Sequence, residues 1–299
     1  MAHQIEFNNS KNPLVSIVIC TYNDALYLDK CITSVLNQTH THFELIIVND
    51  GSTDDTEQIV LSYNDKRIKY YKIDKNKKNI SEVRRFAIKK IRGEYVFFTD
   101  SDCWFENNWL STGLKAFAKH KCLAIEGKII YNKRNYKPTL SDLSGVSNAV
   151  GNSWMTGNMA YKKCIFGLIN FNPTFPRLSD REFALRIKKL GPICFVPSFT
   201  VYHTKKKRTI KSYLNEAKRS IYKVRLIKEQ GDTTGSNWRI LEPKLLLVAI
   251  FPPLILMEFA YGRIRSWEDL QLLPFVWIKS VYMRYLIWKT AINEKVFVL

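Results

Sequence analysis

Short apolar runs alternate with helical patterns along the first hundred residues of the chain. Four runs have the length and composition of buried strands: Leu14–Cys20, Phe43–Asn49, Ile68–Ile73 and Tyr95–Thr99. Three segments between them carry apolar residues at helical spacing: Ala25–Leu36, Thr56–Ser62 and Glu82–Ile91. This repeated strand–helix pattern predicts an α/β fold with a mostly parallel central sheet covered by helices on both faces. Ligands of such sheets bind outside the carboxyl ends of the strands.

The pattern becomes less regular after Cys122. It predicts a strand, a polar stretch to about Ser153, a short extended segment, a helix and a last strand: Leu123–Tyr131, Met155–Tyr161, Asp180–Leu190 and Ile193–Val196. A basic helix to about Gly231 follows His203, and two strongly apolar helical segments come after it. Because the strand–helix rhythm stops there, we place a domain boundary near Thr204 and predict a helical extension over 204–299.

Composition adds a bias toward anionic partners. The 299 residues contain 46 Lys and Arg against 27 Asp and Glu, a formal charge of +19. Nucleotides, phospholipids and nucleic acid all satisfy that bias, so charge alone does not choose among them.

The six cysteines form no C-x-x-C pair, and we interpret them as reduced core thiols. They are Cys20, Cys31, Cys103, Cys122, Cys164 and Cys194.

Polar residues follow the first two strands. Thr21-Tyr22-Asn23 ends the first, and no G-x-G-x-x-G or P-loop glycine pattern comes after it, which argues against a dinucleotide oxidoreductase and a P-loop enzyme. Asp50-Gly51-Ser52-Thr53-Asp54 ends the second. A carboxylate at that place can accept hydrogen bonds from a nucleobase or ribose, and glycine permits a tight turn. A simple turn followed by a helix cap explains this segment equally well.

The fourth strand ends in Asp100-Ser101-Asp102. Two carboxylates one residue apart can hold Mg²⁺ or Mn²⁺ while diphosphate oxygens supply further ligands. An isolated D-x-D is also common in solvated loops. Polar signatures at the ends of the first, second and fourth strands together favour a metal-dependent site for a nucleotide diphosphate.

These three segments, at these intervals, resemble the family 2 glycosyltransferases of the GT-A fold. The resemblance runs from about Val15 to His203. It implies a nucleotide-binding half over about 13–103, an acceptor half over 104–203, and a donor bound by residues of both. The implied donor-binding residues are Thr21, Tyr22, Asn23, Asp50, Arg84, Asp100, Ser101, Gly157 and Asn158. The chain departs from the family pattern at Ile80, where glycine is frequent, and at Arg85, where asparagine is frequent. For Arg84 an exposed helix cation is the alternative.

Two further segments extend the resemblance. Thr156-Gly157-Asn158-Met159-Ala160-Tyr161 is similar to the family segment beside the donor sugar. Ser179-Asp180-Arg181-Glu182 is similar to the start of its E-D-x-E-L-x-x-R helix, with Ser179 in place of the usual glutamate. By this resemblance Asp180 is the general base, although an aspartate there also suits a helix cap. Glu182 and Arg186, at i and i+4, are expected to form a structural ion pair.

The resemblance also implies a metal shell. Asp102 would bind Mn²⁺ or Mg²⁺ directly, with Asp100 nearer the ribose and diphosphate, and His203 would complete the shell. A lone histidine is otherwise often merely polar surface, and a neutral imidazole is an acceptable ligand for Mn²⁺.

The implied function is inverting transfer of a hexosyl group from a nucleotide sugar, usually a UDP-sugar, to a hydroxyl of a glycan or lipid-linked acceptor. One alternative is a non-catalytic membrane-associated scaffold that keeps the fold. The other is a sugar nucleotidyltransferase, but that class usually has a glycine-rich loop after the first strand, and Cys20-Thr21-Tyr22-Asn23-Asp24 has none.

The last third of the chain suggests a surface for anions. Ten Lys and Arg stand against one acid, Glu216, between Lys205 and Lys228, which gives 10 − 1 = +9. A diphosphate, a lipid-diphosphate acceptor or anionic headgroups would suit this charge, whereas nucleic acid is disfavoured because no recognised binding motif accompanies it.

The apolar segments Leu245–Met257 and Leu270–Trp288 do not form simple membrane spans, since the first is short and broken by Pro252-Pro253. Tryptophan and tyrosine are frequent in the second, as at membrane interfaces. We predict interfacial or re-entrant attachment, with a helical hairpin packed on the catalytic domain or on a second copy in a homo-oligomer as the alternative. Met1–Asn12 has no apolar h-region, so the site is expected to face the cytosol, at the cytoplasmic face of a membrane.

Overall fold

The computed structural model describes residues 12–131, 139–140, 148–204, 209–231 and 243–298. The N-terminal polar segment up to residue 11, most of the polar stretch after Tyr131 and the four cations at 205–208 lie outside the described residues. The described chain divides into two compact units. The first, here called the catalytic unit, comprises 12–131 and 148–204, and the second, the helical unit, comprises the rest.

One part of the predicted acceptor half belongs to the helical unit instead. Leu140 is fully buried in an apolar cluster with Tyr213, Val248 and Leu272, and its backbone N–H donates to the carbonyl of Arg263 at 3.0 Å. Thr139 and Leu140, which lie within the predicted acceptor half over 104–203, thus group with the helical unit, and the partners of Leu140 come from a part of the chain more than 70 residues away.

The described strands of the catalytic unit form one sheet in the order β3-β2-β1-β4-β7-β6-β8-β5. They are β1 Val15–Thr21, β2 Phe43–Asn49, β3 Ile68–Lys72, β4 Tyr95–Asp100, β5 Cys103–Trp104, β6 Ala124–Tyr131, β7 Asn158–Lys162 and β8 Ile193–His203. The first four are parallel to one another, β7 is antiparallel to both β4 and β6, and β5 is antiparallel to β8. The α/β fold with a mixed, largely parallel sheet is confirmed.

In the described part of this unit six helices flank the sheet: α1 Ala25–Leu36, α2 Thr56–Leu61, α3 Ile80–Ile88, α4 Trp109–Lys119, α5 Ile165–Leu168 and α6 Ser179–Leu190. Successive residues of β1 alternate between two cores. Ile17 packs with Phe97 and Trp109 on one face, and Val18 packs with Phe183 on the other, all 3 % exposed or less. Both faces are therefore buried, which explains the continuous apolar runs of the parallel strands.

The predicted bounds shift most in the second half of the unit. The short extended segment begins at Asn158 rather than Met155, and the last strand continues past Val196 to His203. The register of β6 against β8 shifts between Gly127 and Lys128, because Gly127 pairs with Val196 and Lys128 with Thr200. The ladder therefore continues past an irregularity in β8.

Helices alone make up the regular structure described for the helical unit: α7 Ile210–Asn215, α8 Arg219–Gln230, α9 Pro243–Ile250, α10 Met257–Ala260 and α11 Trp267–Glu294. The predicted single basic helix is two helices, joined by a 3₁₀ turn over Glu216–Lys218. A second 3₁₀ turn begins at Pro252, where the sequence predicted a break. Among the described residues no helix combines the length and apolar content that crossing a bilayer requires.

All six cysteines are free thiols. Cys31, Cys103 and Cys122 are buried and Cys20 and Cys194 partly so, as predicted. Cys164 is exposed, because it lies at the start of the short helix α5 on the surface, so the core assignment is wrong for that residue.

Candidate active site

The turn after β1 is bound to the turn after β2. Asn23 adopts a left-handed conformation with φ of +53°, its backbone N–H donates to Ser52 Oγ at 2.9 Å, and its Oδ1 accepts from the backbone N–H of Thr53 at 2.8 Å. Asn23 thus fixes the two turns together. Tyr22 is 45 % exposed, and the buried hydroxyl of Thr21 makes no hydrogen bond within the described part of the chain.

Asp50 is held at the end of β2 by backbone groups. Its N–H donates to the carbonyl of Thr21 at 2.9 Å, and its Oδ1 accepts from the backbone N–H of Lys77 at the same distance. Burial raises the pKa of Asp50, while the Lys77 hydrogen bond acts against that rise. Gly51 has φ of +72°, and a Cβ there would lie 2.7 Å from the backbone nitrogen of Asn76, so glycine is required.

Arg84 lies inside the site, which excludes the exposed-cation alternative. It is 8 % exposed, its Nη1 donates to Ser179 Oγ at 2.6 Å, and its Nη2 donates to Thr156 Oγ1. No Asp or Glu of the described ranges forms an ion pair with it. Because Thr156 precedes Gly157 and Ser179 precedes Asp180, this guanidinium ties the predicted sugar-binding segment to the predicted catalytic helix.

Four potential metal ligands converge where β4, β5 and β8 meet. One ligand atom each from Asp100, Asp102, Cys103 and His203 lies within 4.8 Å of the others. Asp102 and His203 are buried, and His203 Nε2 lies 3.3 Å from Asp102 Oδ1. The sequence had separated these residues by a hundred positions, and the long strand β8 brings His203 beside the D-x-D segment.

The tautomer of His203 suits a cation. Its Nδ1 lies 2.8 Å from the carbonyl oxygen of Thr204, which can only accept, so Nδ1 carries a hydrogen. A neutral ring then presents the Nε2 lone pair toward the carboxylate of Asp102. Two electron-rich groups face each other in a buried place, and a proton or metal ion between them removes that repulsion. The carboxylates and the imidazole together fit Mg²⁺ or Mn²⁺.

The surroundings of Asp100 perturb the pKa of its carboxyl group. Burial, followed by the negative charge of Asp102, raises its pKa to about 6, while Arg84 and His203 act in the opposite direction. The charge of Asp180 adds to the rise. Ser101 donates its hydroxyl to Asp24 Oδ2, so it fixes the β1 turn against the metal loop.

Gly157 and Asn158 differ in what they offer a donor. A Cβ on Gly157 would lie 2.9 Å from Asp100 Oδ2, so the absence of a side chain leaves this carboxylate accessible. Asn158 is fully buried: its Nδ2 donates to the carbonyls of Lys128 and Phe199, and its Oδ1 accepts from Trp109 Nε1 at 3.0 Å. The structure gives this side chain a role in joining β7 to its neighbours instead of the donor contact that the resemblance implied.

Asp180 lies at the second position of α6. The residue before the helix is Leu178, with φ of +57° and no side-chain capping bond, so Asp180 is not the N-cap. Its Oδ1 accepts from the backbone N–H of Arg181 at 2.9 Å. The predicted pair between Glu182 and Arg186 is confirmed, at 2.6 Å between Nε and Oε1.

Glu126 and Thr156 support the site, and sequence reasoning missed both. Glu126 is 2 % exposed and accepts from the backbone N–H groups of Asn152, Ser153 and Trp154, which fixes the chain just before Thr156. The sequence did contain a sign of the role of Glu126, since an acidic residue stands there inside the otherwise apolar strand β6. The Lys77 amide that holds Asp50 had no signal at all, since a backbone N–H is the same in every residue except proline.

A model of glycosyl transferase family 2 matches residues 16–187, more than half of the chain. The chain belongs to this family. Membership in this family favours glycosyl transfer as the activity to propose for the chain over the scaffold and nucleotidyltransferase alternatives.

Two solved structures share the GT-A fold with this glycosyltransferase. TarS 1-349 of S. aureus superposes with a TM-score of 0.57 over 95% of this chain and 92% of that chain, at 17% sequence identity. The mannosyltransferase PcManGT of Pyrobaculum calidifontis, in complex with GDP-Man and Mn²⁺, gives 0.61 over 97% and 90%, at 14% identity. Identities this low establish the fold alone.

Among curated relatives, a chondroitin synthase of Escherichia coli is 36% identical over 192 residues, which are 60% of this chain and 27% of the synthase. The first three curated glycosyltransferases that the chain matches are likewise covered over only 14% to 30% of their length. The similarity thus concerns one part of larger proteins.

Replacing Arg84 with lysine tests the bridge between Thr156 and Ser179. Lysine keeps the charge but cannot donate in two directions from a planar fork. We expect Arg84→Lys to lower sugar transfer about 10- to 100-fold, because catalysis is sensitive to small misplacements of the reacting groups. Arg85→Lys on the same helix is the matched control, since among the described residues the Arg85 side chain donates to the carbonyl of Phe171 and not to the predicted site. Equal activities of the two variants in a steady-state transfer assay would contradict the bridging role.

Metal affinity should depend on pH through Asp100. Below pH 6 its carboxyl group is protonated, and a cation must displace that proton to bind. We expect Mn²⁺ affinity, measured by calorimetry in the absence of donor, to be about tenfold weaker at pH 5 than at pH 7. In Asp100→Asn this part of the pH dependence should disappear. An affinity that does not change between the two pH values would show that the proton on Asp100 does not compete with the metal.

Proposed function

We propose that this enzyme transfers a sugar with inversion from a nucleoside diphosphate, preferably UDP, to a hydroxyl of a glycan or lipid-linked acceptor. The observation that carries the proposal is the cluster of Asp100, Asp102 and His203 at the carboxyl edge of the sheet, together with Asp180, whose charge raises the pKa of Asp100. A base and a cation site side by side are the two requirements of this reaction.

In the proposed reaction an acceptor hydroxyl gives its proton to the Asp180 carboxylate. The freed oxygen forms a bond to the anomeric carbon, and the bond from that carbon to the diphosphate oxygen breaks. A single displacement of this kind inverts the anomeric centre. A divalent cation held by Asp102, His203 and Asp100 would neutralise charge on the departing diphosphate, which is worth several kcal/mol. General-base help contributes about 10²- to 10⁴-fold.

UDP is the proposed nucleotide. The same TarS region is known in complex with UDP and with UDP-GlcNAc, and the other neighbour in complex with GDP-Man and Mn²⁺. In this chain Asp50 offers a carboxylate to the base and ribose beside the end of β1, where Thr21 lies, and Gly157 leaves room beside Asp100 for the sugar. Mn²⁺ or Mg²⁺ is the proposed cofactor.

Relatives named chondroitin synthase and hyaluronan synthase support a glycan as the acceptor. A lipid-linked acceptor would suit the cations of α7 and α8 in the helical unit, because a lipid diphosphate is anionic.

The division of labour between Asp180 and Asp102 is testable with two variants. We expect Asp180→Asn to lose about 10²- to 10⁴-fold in transfer rate, since asparagine cannot accept the proton, while Mn²⁺-dependent thermal stabilisation by UDP remains. Asp102→Asn should lose both the transfer activity and the Mn²⁺-dependent stabilisation by UDP. Screening UDP-, GDP- and dTDP-sugars in the same thermal assay identifies the nucleotide. Near-normal transfer by Asp180→Asn, with Asp102→Asn inactive, would refute the base and leave the metal site standing.

We further propose that the helical unit attaches the enzyme to an anionic membrane, at its cytoplasmic face. The helix α11 buries Val276, Met283 and Ile287 against the other helices of its unit. Its opposite side exposes a second apolar stripe at helical spacing: Trp277, Val281, Tyr285, Trp288 and Ile292, each between 40 and 76 % exposed. Packing on one side of such a helix leaves its second apolar side exposed, and that side is available to contact lipid. Lys211, Lys218 and Arg219 of the same unit are exposed cations.

Vesicle sedimentation tests this attachment. Each cation near an anionic surface contributes about 1 kcal/mol, so Lys218→Glu should weaken binding to phosphatidylserine vesicles by fivefold or more, with little change for neutral vesicles at high salt. Replacing Tyr285 and Trp288 with serine should weaken binding to both. The control is Leu61→Ser, an apolar residue 65 % exposed in the catalytic unit. Wild-type protein that stays in the supernatant with both vesicle types would exclude membrane attachment.

A further inference from the structure

Cys103 lies within the metal cluster but has no role in the proposed reaction. It directly follows Asp102, and it is 1 % exposed. Its Sγ lies 3.9 Å from Asp102 Oδ1, and the same oxygen lies 3.3 Å from His203 Nε2. A carboxylate oxygen therefore has a thiol and an imidazole as immediate neighbours.

Strand pairing explains why the thiol lies beside the imidazole. Cys103 and His203 are direct partners in the antiparallel pair of β5 and β8. Directly opposite residues of such a pair project from the same face of the sheet, with Cβ atoms about 4.5–5.5 Å apart. The backbone fixes this juxtaposition, so it does not depend on one side-chain rotamer.

The distances match a single four-coordinate ion. Zinc lies about 2.3 Å from a thiolate sulfur and about 2.0–2.2 Å from nitrogen or oxygen, so neighbouring ligand atoms of a tetrahedral site are about 3.3–3.8 Å apart. The separations from Asp102 Oδ1 to Cys103 Sγ and His203 Nε2 are close to this range. Asp100 is the fourth donor, and all four atoms lie within 4.8 Å of one another.

We propose that thiophilic divalent cations such as Zn²⁺ and Co²⁺ recruit Cys103 as a ligand and so close the centre to the donor diphosphate. The inference rests on the metal site of the proposed function. On binding, the thiol loses its proton to solvent and the sulfur donates an electron pair to the ion; no oxidant or reductant takes part.

The consequence depends on the softness of the ion. Mg²⁺ and Mn²⁺ favour oxygen donors, so they leave the thiol protonated and keep coordination positions for phosphate oxygens. Zn²⁺ accepts sulfur, nitrogen and oxygen, and four protein ligands complete its usual shell. A zinc site with four protein ligands has no open position, which is the difference between a structural and a catalytic centre. The enzyme would then be inhibited by Zn²⁺ in competition with Mn²⁺.

Cobalt makes the thiolate visible without any activity measurement. We expect metal-free full-length protein to develop a near-ultraviolet thiolate-to-cobalt charge-transfer band on titration with Co²⁺. Cys103→Ser should still bind Co²⁺, detected by its visible ligand-field bands, but should lack the charge-transfer band. Cys164→Ser, which changes an exposed cysteine outside the cluster, should keep it. Cys103→Ala is the second variant, and circular dichroism confirms that each variant is folded.

Affinity measurements complete the test. Loss of the thiolate should weaken Zn²⁺ binding at least 10-fold, the lower end of what even an outer partner of a metal ligand contributes. Zn²⁺ should also weaken UDP binding in the wild type about 10-fold relative to Mn²⁺, and this difference should shrink in Cys103→Ser.

Two failures are distinguishable. Co²⁺ bound in an Asp102-dependent way without a charge-transfer band, or with the same band in Cys103→Ser, would overturn the role of Cys103 and leave the metal centre intact. Absence of any Asp102-dependent Co²⁺ binding would overturn the metal centre itself, and this proposal with it.

Discussion

Repulsion among carboxylates at the carboxyl edge of the sheet is the constraint on which the rest of the site depends. Asp100 ends β4, Asp102 follows two positions later, and the charge of Asp180 on α6 also acts on Asp100. Burial is the largest cause of the raised pKa of Asp100, and the repulsion by Asp102 adds to it. Such an arrangement is stable with its carboxylates ionised only if positive charge is close by. The protein supplies part of it, and a cation bound with a diphosphate donor would supply the rest.

Arg84 provides positive charge inside the site and also connects two of its segments by hydrogen bonds. Its hydrogen bonds go to two neutral hydroxyls, those of Thr156 and Ser179, so no carboxylate among the described residues cancels its charge. The charge therefore remains effective at Asp100, where it lowers the pKa. Serine at 179, where the family pattern usually has glutamate, has a clear physical consequence: the hydroxyl orients the guanidinium without neutralising it. One side chain thus couples the segment beside the sugar to the helix that carries the base.

The two units differ in how completely their apolar surfaces are buried. In the catalytic unit every strand of the parallel half has partners on both faces, and polar groups are confined to strand ends. In the helical unit α11 has one buried face and one exposed apolar face, although it is not a membrane-spanning helix by length and composition. Exposed apolar surface of this kind, beside exposed cations, is the physical basis of the attachment we propose.

The sequence by itself determined the parallel half of the sheet, the helices that follow its strands and the positions of Asp50, Asp100 and Asp102 at strand ends. These features depend on local periodicity, since burial on both faces produces continuous apolar runs and strand ends produce polar breaks. The resemblance added Asp180 and His203, and the structure places His203 in the metal cluster and Asp180 in the first turn of α6.

Tertiary structure alone decided which side chains meet. The direction of β7, the length of β8 through its bulge and the pairing of Cys103 with His203 arise from contacts between distant segments, which leave no local period in the sequence. The same holds for the partners of Arg84 and for Asn158, whose amide is used up by Trp109, Lys128 and Phe199. A residue type states what a side chain can donate or accept, but only the packing of the chain determines which group receives it.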